Sequence, residues 1–298
     1  MEPNSEDIFA NLKLGEAPAT EEQKCLFVAK LREFEDIFSK FDGDLGRSTI
    51  VEHSVNVEGA KPIKQRPYRI PFSQRAVVQK LVDNMEKTGV IEKSCSPWQS
   101  PILVVPKKDG TSRFCIDFRK VNAVTKADSF PLPRIDELLD CLGSNHCSHF
   151  SLIDLAAGYW NIGMEEKSKE ITAFALPQGG LYHFNVMPFG LKNAPSTFQR
   201  CLETALSGLI WKSCFLYIDD ILVIGRTFEE HLENFEKVLI RLRQANLKIK
   251  LKKCNFLCKS ILYLGHVVSA EGISVDPSKT EKVQNFPPPT NISALNDF

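Results

Sequence analysis

The stretch Cys214-Phe215-Leu216-Tyr217-Ile218-Asp219-Asp220-Ile221-Leu222-Val223-Ile224 sets two adjacent carboxylates between two short apolar runs rich in Ile, Leu and Val. Runs of this length and composition predict buried strands. The acid pair then falls at or near the tip of a β-hairpin, on a rigid support. Asp is a common turn residue, so the pair alone describes no more than a surface turn. A third acid changes that reading. Phe150-Ser151-Leu152-Ile153-Asp154-Leu155 is another apolar strand ending in a single carboxylate, followed by Ala156-Ala157-Gly158 and Tyr159.

One single and one double acid site, both borne on strands, suit two-metal phosphoryl chemistry. Mg²⁺ takes hard oxygen ligands in octahedral geometry and keeps room for waters and substrate phosphates. Two such ions roughly 3.5–4 Å apart can activate an attacking hydroxyl and stabilise a leaving pyrophosphate oxygen. The order of residues leaves open whether the two strands lie side by side.

A chain of 298 residues can bury one large core or two modest ones, and 43% hydrophobic with 25% charged residues is ordinary for a soluble globular protein. The acidic segment Met1–Phe9 lacks the apolar core of a signal peptide, and no run approaches bilayer length. A reducing, cytoplasmic setting with no membrane partner is expected, and nine cysteines fit it as free thiols. Cys141, His146, Cys147 and His149 hint at zinc, but their spacing matches neither a finger nor a knuckle.

Net charge is zero, yet it is segregated. Residues 1–60 carry 13 acidic and 6 basic side chains, net −7, which leaves +7 for residues 61–298. Lys61–Lys80 holds six basic residues and no acid, and Lys237–Lys259 holds eight with none. Such segregation suits phosphate contacts as well as solvated faces.

Thr20–Phe41 predicts an amphipathic helix, with Thr20 and Gln23 as a capping box and Gly43 and Gly46 closing it. This acidic arm reads as a docking or linker element. A second helix starts at Ser73 and stops at Gly89. Residues 100–106 and 113–118 form a hairpin around Lys107-Lys108-Asp109-Gly110, which puts Lys107 and Arg113 on a basic tip or face. Arg134–Leu142 is a short helix. The segment 188–195 is a loop leading a helix from Ser196, and a lysine there, Lys192, sits where phosphate can dock. A helix capped by Thr227 and a hairpin over 261–268 follow, without internal repeats. Helices interleaved with hairpins imply an α+β or mixed layout.

These residues resemble a reverse transcriptase, and more narrowly the polymerase domain of a gypsy-type LTR retrotransposon Pol polyprotein. The resemblance runs from about Phe34 to Phe286. It is carried by Pro67-Tyr68-Arg69, Ser96-Pro97-Trp98-Gln99-Ser100-Pro101, Lys107-Lys108-Asp109-Gly110, Arg113 through Arg119, Pro131-Leu132-Pro133-Arg134-Ile135-Asp136, Asp154-Leu155 with Gly158-Tyr159, Met187 through Pro195, Tyr217-Ile218-Asp219-Asp220 and Tyr263-Leu264-Gly265-His266. Phe189 marks the subtype, since retroviral enzymes usually carry Gln there.

The resemblance implies an α+β right-hand fold with an antiparallel palm sheet and an N-terminal helical arm. It divides the chain into an acidic arm at 1–60, fingers and palm at 61–268, and the start of a thumb at 269–298. The fingers would take about 61–126 and 162–193, the palm about 127–161 and 194–268. Asp154, Asp219 and Asp220 would be the palm acids that hold two Mg²⁺ ions, with Mn²⁺ as a substitute. Lys107, Arg113 and the backbone after Asp154, at Leu155, would contact the triphosphate of an incoming dNTP. Tyr159 would be the gate under the sugar, excluding a 2′-hydroxyl. Phe189, Gly190 and Lys192 would line the nucleotide and template side, and Leu264, Gly265 and His266 the primer grip.

RNA/DNA template-primer is the implied partner, with other Pol domains or a second copy as protein partners and virus-like particles in the cytoplasm as the setting. Two departures stand out. The family's Gly-Tyr-x-Gln is Gly158-Tyr159-Trp160-Asn161 here, and the expected effect of the shorter amide is modest. The sequence also stops at Phe298, before the rest of a thumb and an RNase H domain, which leaves a non-catalytic, nucleic-acid-binding remnant as the alternative to a polymerase.

Overall fold

The computed structural model describes residues 7–10, 12–41, 43–106 and 112–277. Lys107, with the rest of the turn expected at 107–110, lies outside the described residues.

Helix α1 (Glu21–Glu33) begins at Thr20, whose hydroxyl accepts from the Gln23 amide while Gln23 Oε1 accepts from the Thr20 amide. That is the reciprocal box that the sequence pattern predicts. The helix ends at Glu33 rather than near Phe41, because Phe38 is buried in an extended segment that bridges Ile249 in parallel. Strand β1 (Ser48–His53), helix α2 (Phe72–Lys87) and strands β2 (Ile91–Lys93), β3 (Ser100–Pro106) and β4 (Ser112–Ile116) come next. Helices α3 (Arg119–Val124) and α4 (Ile135–Ser144) lead into β5 (His149–Asp154).

The middle of the chain supplies β6 (Ile162–Met164), a single turn α5 (Glu166–Lys169), β7 (Phe174–Ala175), β8 (Leu181–Phe184) and α6 (Ala194–Ala205). The hairpin β9 (Cys214–Tyr217) and β10 (Asp220–Gly225) precedes α7 (Phe228–Gln244), capped as expected by Thr227. Strands β11 (Asn255–Cys258), β12 (Ser260–Tyr263), β13 (His266–Ser269) and β14 (Gly272–Val275) close the described chain.

Four strands in the order β11-β5-β10-β9, antiparallel throughout, make the sheet that carries the acids. Five strands in the order β2-β8-β7-β3-β4 make a second sheet from two separated chain segments. The meander β12-β13-β14 is a third, so residues 269–275 complete a sheet that starts at Ser260, across the boundary expected at 268/269. The fold class is therefore α+β, as expected.

Both faces of the four-stranded sheet are covered. Ile153, Leu216, Ile221 and Val223 face a core shared with Phe198 and Leu202 of α6 and Phe235 and Leu239 of α7. Phe150, Phe215, Leu222 and Ile224 face the other way, onto Leu138 and Leu142 of α4 and Ile261, Tyr263 and Val268 of the meander. Burial on both sides explains why these strands read as continuous apolar runs. Each such fully buried side chain contributes on the order of 1.5–3 kcal/mol.

The acidic N-terminal helix is packed as part of this body, unlike a free linker. Phe27 and Leu31 are fully buried, and the Phe27 ring lies 4.8 Å from Phe235 of α7 and 6.0 Å from Phe256 of β11. Its polar edge pairs with α7 through Lys30 to Glu236 and Gln23 to Glu229, both at 3.0 Å. Arg243 of α7 returns the contact to Asp36. The contacts run both ways in charge: Glu229 and Glu236 of α7 take Gln23 and Lys30 of the arm, while Arg243 and Lys248 meet the arm's Asp36 and Asp44. No helix among the described residues is long and apolar enough to cross a membrane.

Candidate active site

Strands β5 and β10 are direct neighbours, with Asp154 opposite Asp220, and Asp220 opposite Tyr217 on β9. Side chains alternate along a strand, so Asp154 shares the face of Leu152, and Asp220 that of Leu222. Both acids therefore stand on the meander side of the sheet, and Asp219 lies beside them in the turn between β9 and β10. That turn is unusual. Ile218 sits at φ +51°, a left-handed conformation costly for a β-branched residue. It is held from α6, where the buried Gln199 side chain accepts from the Ile218 amide at 2.8 Å and donates to Glu203 at 2.8 Å.

The acids repel one another. Asp219 reaches solvent, yet the protein walls around the hairpin displace much of its water, and this desolvation pushes its pKa up to about 6, with further contributions from Asp220 and Asp154. Asp220 is also raised, by burial first and then by Asp154. Lys253 opposes both shifts, and its ammonium lies 3.3 Å from each carboxylate oxygen of Asp154. Among the described residues no three His, Cys, Asp or Glu side chains stand at metal-coordinating spacing. The donor set nonetheless suits a hard divalent cation, since adjacent carboxylates with raised pKa values gain most from added positive charge.

A measurable consequence follows from the sign of that shift. The unfolded carboxyl titrates near 3.8, so the folded chain holds the Asp219 proton more tightly. The ionised acid therefore costs stability above about pH 6, and the cost fades as pH falls toward 4. Asp219→Asn raises the melting temperature at pH 8 by roughly 2–4 °C, after allowance for solvent screening at the tip. The gain disappears at pH 4 when native and variant melts are compared.

The other expected site residues fall in several places. Tyr159 lies on the short 3-10 turn Gly158–Asn161 that follows the acid strand. Its ring stacks on Phe189 at 5.0 Å and meets Phe198 edge-on at 5.2 Å. Burial, and then the nearby Asp219 charge, pushes its hydroxyl up to about 12. Phe189 keeps 51% of its surface exposed, and Gly190 accepts from Asn122 through its carbonyl. Lys192 turns its ammonium onto the Thr125 carbonyl at 3.2 Å. Arg113 is exposed on β4, opposite Val105. Leu155 is buried, and the next amide, that of Ala156, already donates to the Lys248 carbonyl at 2.8 Å. Leu264 and Gly265, both at positive φ, form the two-residue turn between β12 and β13, and His266 Nδ1 lies 3.2 Å from the Leu264 carbonyl. Tyr263 just before them is buried close enough to Asp220 to feel its charge.

Sequence reasoning did not single out Lys253 or Gln199, and it gave Asn161 only a modest role. Lys253 belongs to the basic run over 237–259, where nothing distinguishes it from seven neighbours. Gln199 did leave a signal, as an amide among the apolar positions Phe198, Cys201 and Leu202 of an amphipathic helix. The zinc-like group at 141–149 does not assemble, with His149 bonded to Pro18 and Ser148 instead. All nine cysteines are free thiols.

A palm-like antiparallel sheet with acids at adjoining strand ends, flanked by a second sheet built from two chain segments, is the right-hand polymerase architecture. The chain belongs to the reverse transcriptase (RNA-dependent DNA polymerase) family, whose model matches residues 105–268. It is similar to the retrovirus-related Pol polyprotein of transposon 297 from Drosophila melanogaster, 38% identical over 90% of this chain and 26% of that protein. The gypsy Pol polyprotein of the same organism is 34% identical over 88% of this chain and 26% of the relative. The chain thus spans about a quarter of the length of these curated relatives. Among solved structures, a foamy viral protease-reverse transcriptase in complex with RNA/DNA hybrid superposes at a TM-score of 0.84, with 26% identity over 94% of this chain and 37% of that one. The same protein with dsDNA gives 0.85, at 26% identity over 95% and 58% of the two chains.

Proposed function

We propose that this chain is an RNA-directed DNA polymerase that adds deoxynucleotides to a primer 3′-hydroxyl on an RNA or DNA template. The observation that carries the reading is Asp154 opposite Asp220 on neighbouring strands, with Asp219 in the adjoining turn. Asp154, Asp219 and Asp220 would hold two Mg²⁺ ions, or Mn²⁺ in their place. Such ions, when bound, acidify the primer hydroxyl and neutralise charge on the leaving pyrophosphate.

The remaining work falls to the chain's own groups. The Tyr159 ring, stacked on Phe189 and braced by Phe198, forms a rigid floor under the incoming sugar and leaves no room for a 2′-hydroxyl. Arg113, together with Lys107, meets the triphosphate charge, and the Leu155 amide adds a neutral donor. Phe189, Gly190 and Lys192 flank the nucleotide and template. The turn Leu264-Gly265-His266 seats the primer end, following Tyr263 at the acid face. The foamy viral neighbours bound to RNA/DNA hybrid and dsDNA support template-primer as the partner. A helical hybrid of this kind is recognised by backbone and groove shape, not by sequence.

Single-cycle extension of a DNA primer on an RNA template, with excess protein and Mg²⁺, tests the reading. The expected result is templated addition by the native chain. Tight, salt-sensitive hybrid binding without any addition would overturn it.

A further inference from the structure

We propose that Asn161 is the positioning residue for the Tyr159 gate, an inference that rests on the polymerase reading of this site. Asn161 is fully buried, two residues beyond Tyr159. Its amide nitrogen donates to the Ala156 carbonyl at 2.8 Å and the Gly158 carbonyl at 3.2 Å, and lies 3.5 Å from that of Ala157. Its oxygen accepts from the Gly46 amide at 2.8 Å and, more weakly, from the Lys248 amide at 3.4 Å. One side chain thus ties together three segments far apart in sequence: the loop after Asp154, the end of the N-terminal arm, and the extended chain after α7.

The loop it ties needs such support. Ala157 sits at φ +47°, ψ +50°, a left-handed conformation unfavourable for a non-glycine residue. Three consecutive carbonyls, from Ala156 to Gly158, converge on the Asn161 amide. That of exposed Ala157 also accepts from the Trp160 amide at 2.7 Å, whereas Ala156 is buried and its carbonyl loses this donor when the side chain is removed. Close approach is built in on both sides. A Cβ on Gly46 would stand 1.9 Å from the Asn246 carbonyl and 2.7 Å from Asn161 Oδ1, and one on Gly158 would stand 2.7 Å from the Phe198 ring that braces Tyr159. Tyr159 is therefore set between a fixed loop beneath and the Phe189 and Phe198 rings beside it, and its height relative to the sugar depends on Asn161.

Two variants separate gate positioning from general stability. Asn161→Ala removes the clasp, and Gly46→Ala pushes the arm off its oxygen while leaving the donor in place. Single-nucleotide incorporation with dATP and ATP gives kcat and KM for each sugar, while hydrogen exchange by mass spectrometry reads the amides of residues 154–161. Asn161→Ala is expected to lower deoxy-over-ribo selectivity about tenfold and to raise KM for dATP by a similar factor. Its kcat for dATP stays within about threefold, and exchange over 154–161 quickens. Gly46→Ala shifts each reading in the same direction by less. Unchanged selectivity in a folded Asn161→Ala protein overturns the proposal. So does a fall in kcat and melting temperature with the sugar ratio intact, which marks a merely structural residue. No addition by the native chain defeats the polymerase reading and the gate role with it, and the clasp then stands or falls on the exchange result alone.

Discussion

Replacing both Asp219 and Asp220 by Asn abolishes templated extension, by about 10³-fold or more, equivalent to at least ~4 kcal/mol of transition-state stabilisation. The substitution keeps shape and hydrogen-bonding reach but removes two of the three charges gathered at one end of the sheet. Register makes those charges count: Asp220 stands opposite Asp154, and a one-residue slip of β10 would send Asp220 to the α6–α7 face. Loss of activity in this variant cannot be ascribed to unfolding, because removing repelling acids with raised pKa values relieves strain at neutral pH. The expected pairing is therefore an inactive protein that melts no lower than the native one. Glu233→Gln on the exposed side of α7, which loses only its ion pair with Lys237, serves as the comparison and keeps native activity. Extension by the double variant at the native rate would show that these acids do not carry the chemistry.

The two acid strands were legible because burial on both faces leaves continuous apolar runs that end where the carboxylates begin. Their adjacency was not. Asp154 and Asp220 are far apart in sequence, and no local pattern states that β5 pairs with β10 rather than with another strand. The family resemblance alone carried that link. Local signals did well where the chemistry is local, as in the Thr20 and Thr227 caps. They failed where tertiary contacts override them. Phe34, Ile37 and Phe38 continue a helical apolar pattern, yet Phe38 leaves the helix to pair with Ile249. Strand β1, Ser48 to His53, mixes polar and apolar residues without alternation and is held by a parallel partner far along the chain. The roles of Lys253 and Asn161 were opaque for a related reason, although Asn161 itself stood out as the shorter amide in Gly158-Tyr159-Trp160-Asn161. A lysine on Asp154 or an amide clasping three segments is defined by its partners, and those partners come from elsewhere in the sequence.

Phe27→Ala in α1 lowers the stability of the whole folded body by ~3–5 kcal/mol, a large share of the 5–15 kcal/mol typical of a folded domain. The ring is fully buried against Phe235, His231 and Phe256, so its loss leaves a cavity between α1, α7 and β11 that these neighbours cannot fill without moving the acid sheet. Leu26, next to it in sequence but 51% exposed, gives the contrast, and Leu26→Ala changes stability by less than about 0.5 kcal/mol. Urea unfolding of the two variants beside the native chain reads both. Equal, small effects would restore the acidic helix to the status of an independent arm. The expected asymmetry bears on how that helix can be studied at all. The arm supplies backbone partners to the Phe256 and Leu257 carbonyls from Gly15 and Ala17, and it pairs with Ile249 through Ile37 and Ser39. Deleting residues 1–60 would strip those partners and uncover Phe235 and Phe256, so any loss of binding would report unfolding, not docking. A role for the arm's acidic surface has to be tested with charge changes on its exposed side, such as Glu22→Gln, that leave Phe27 in place.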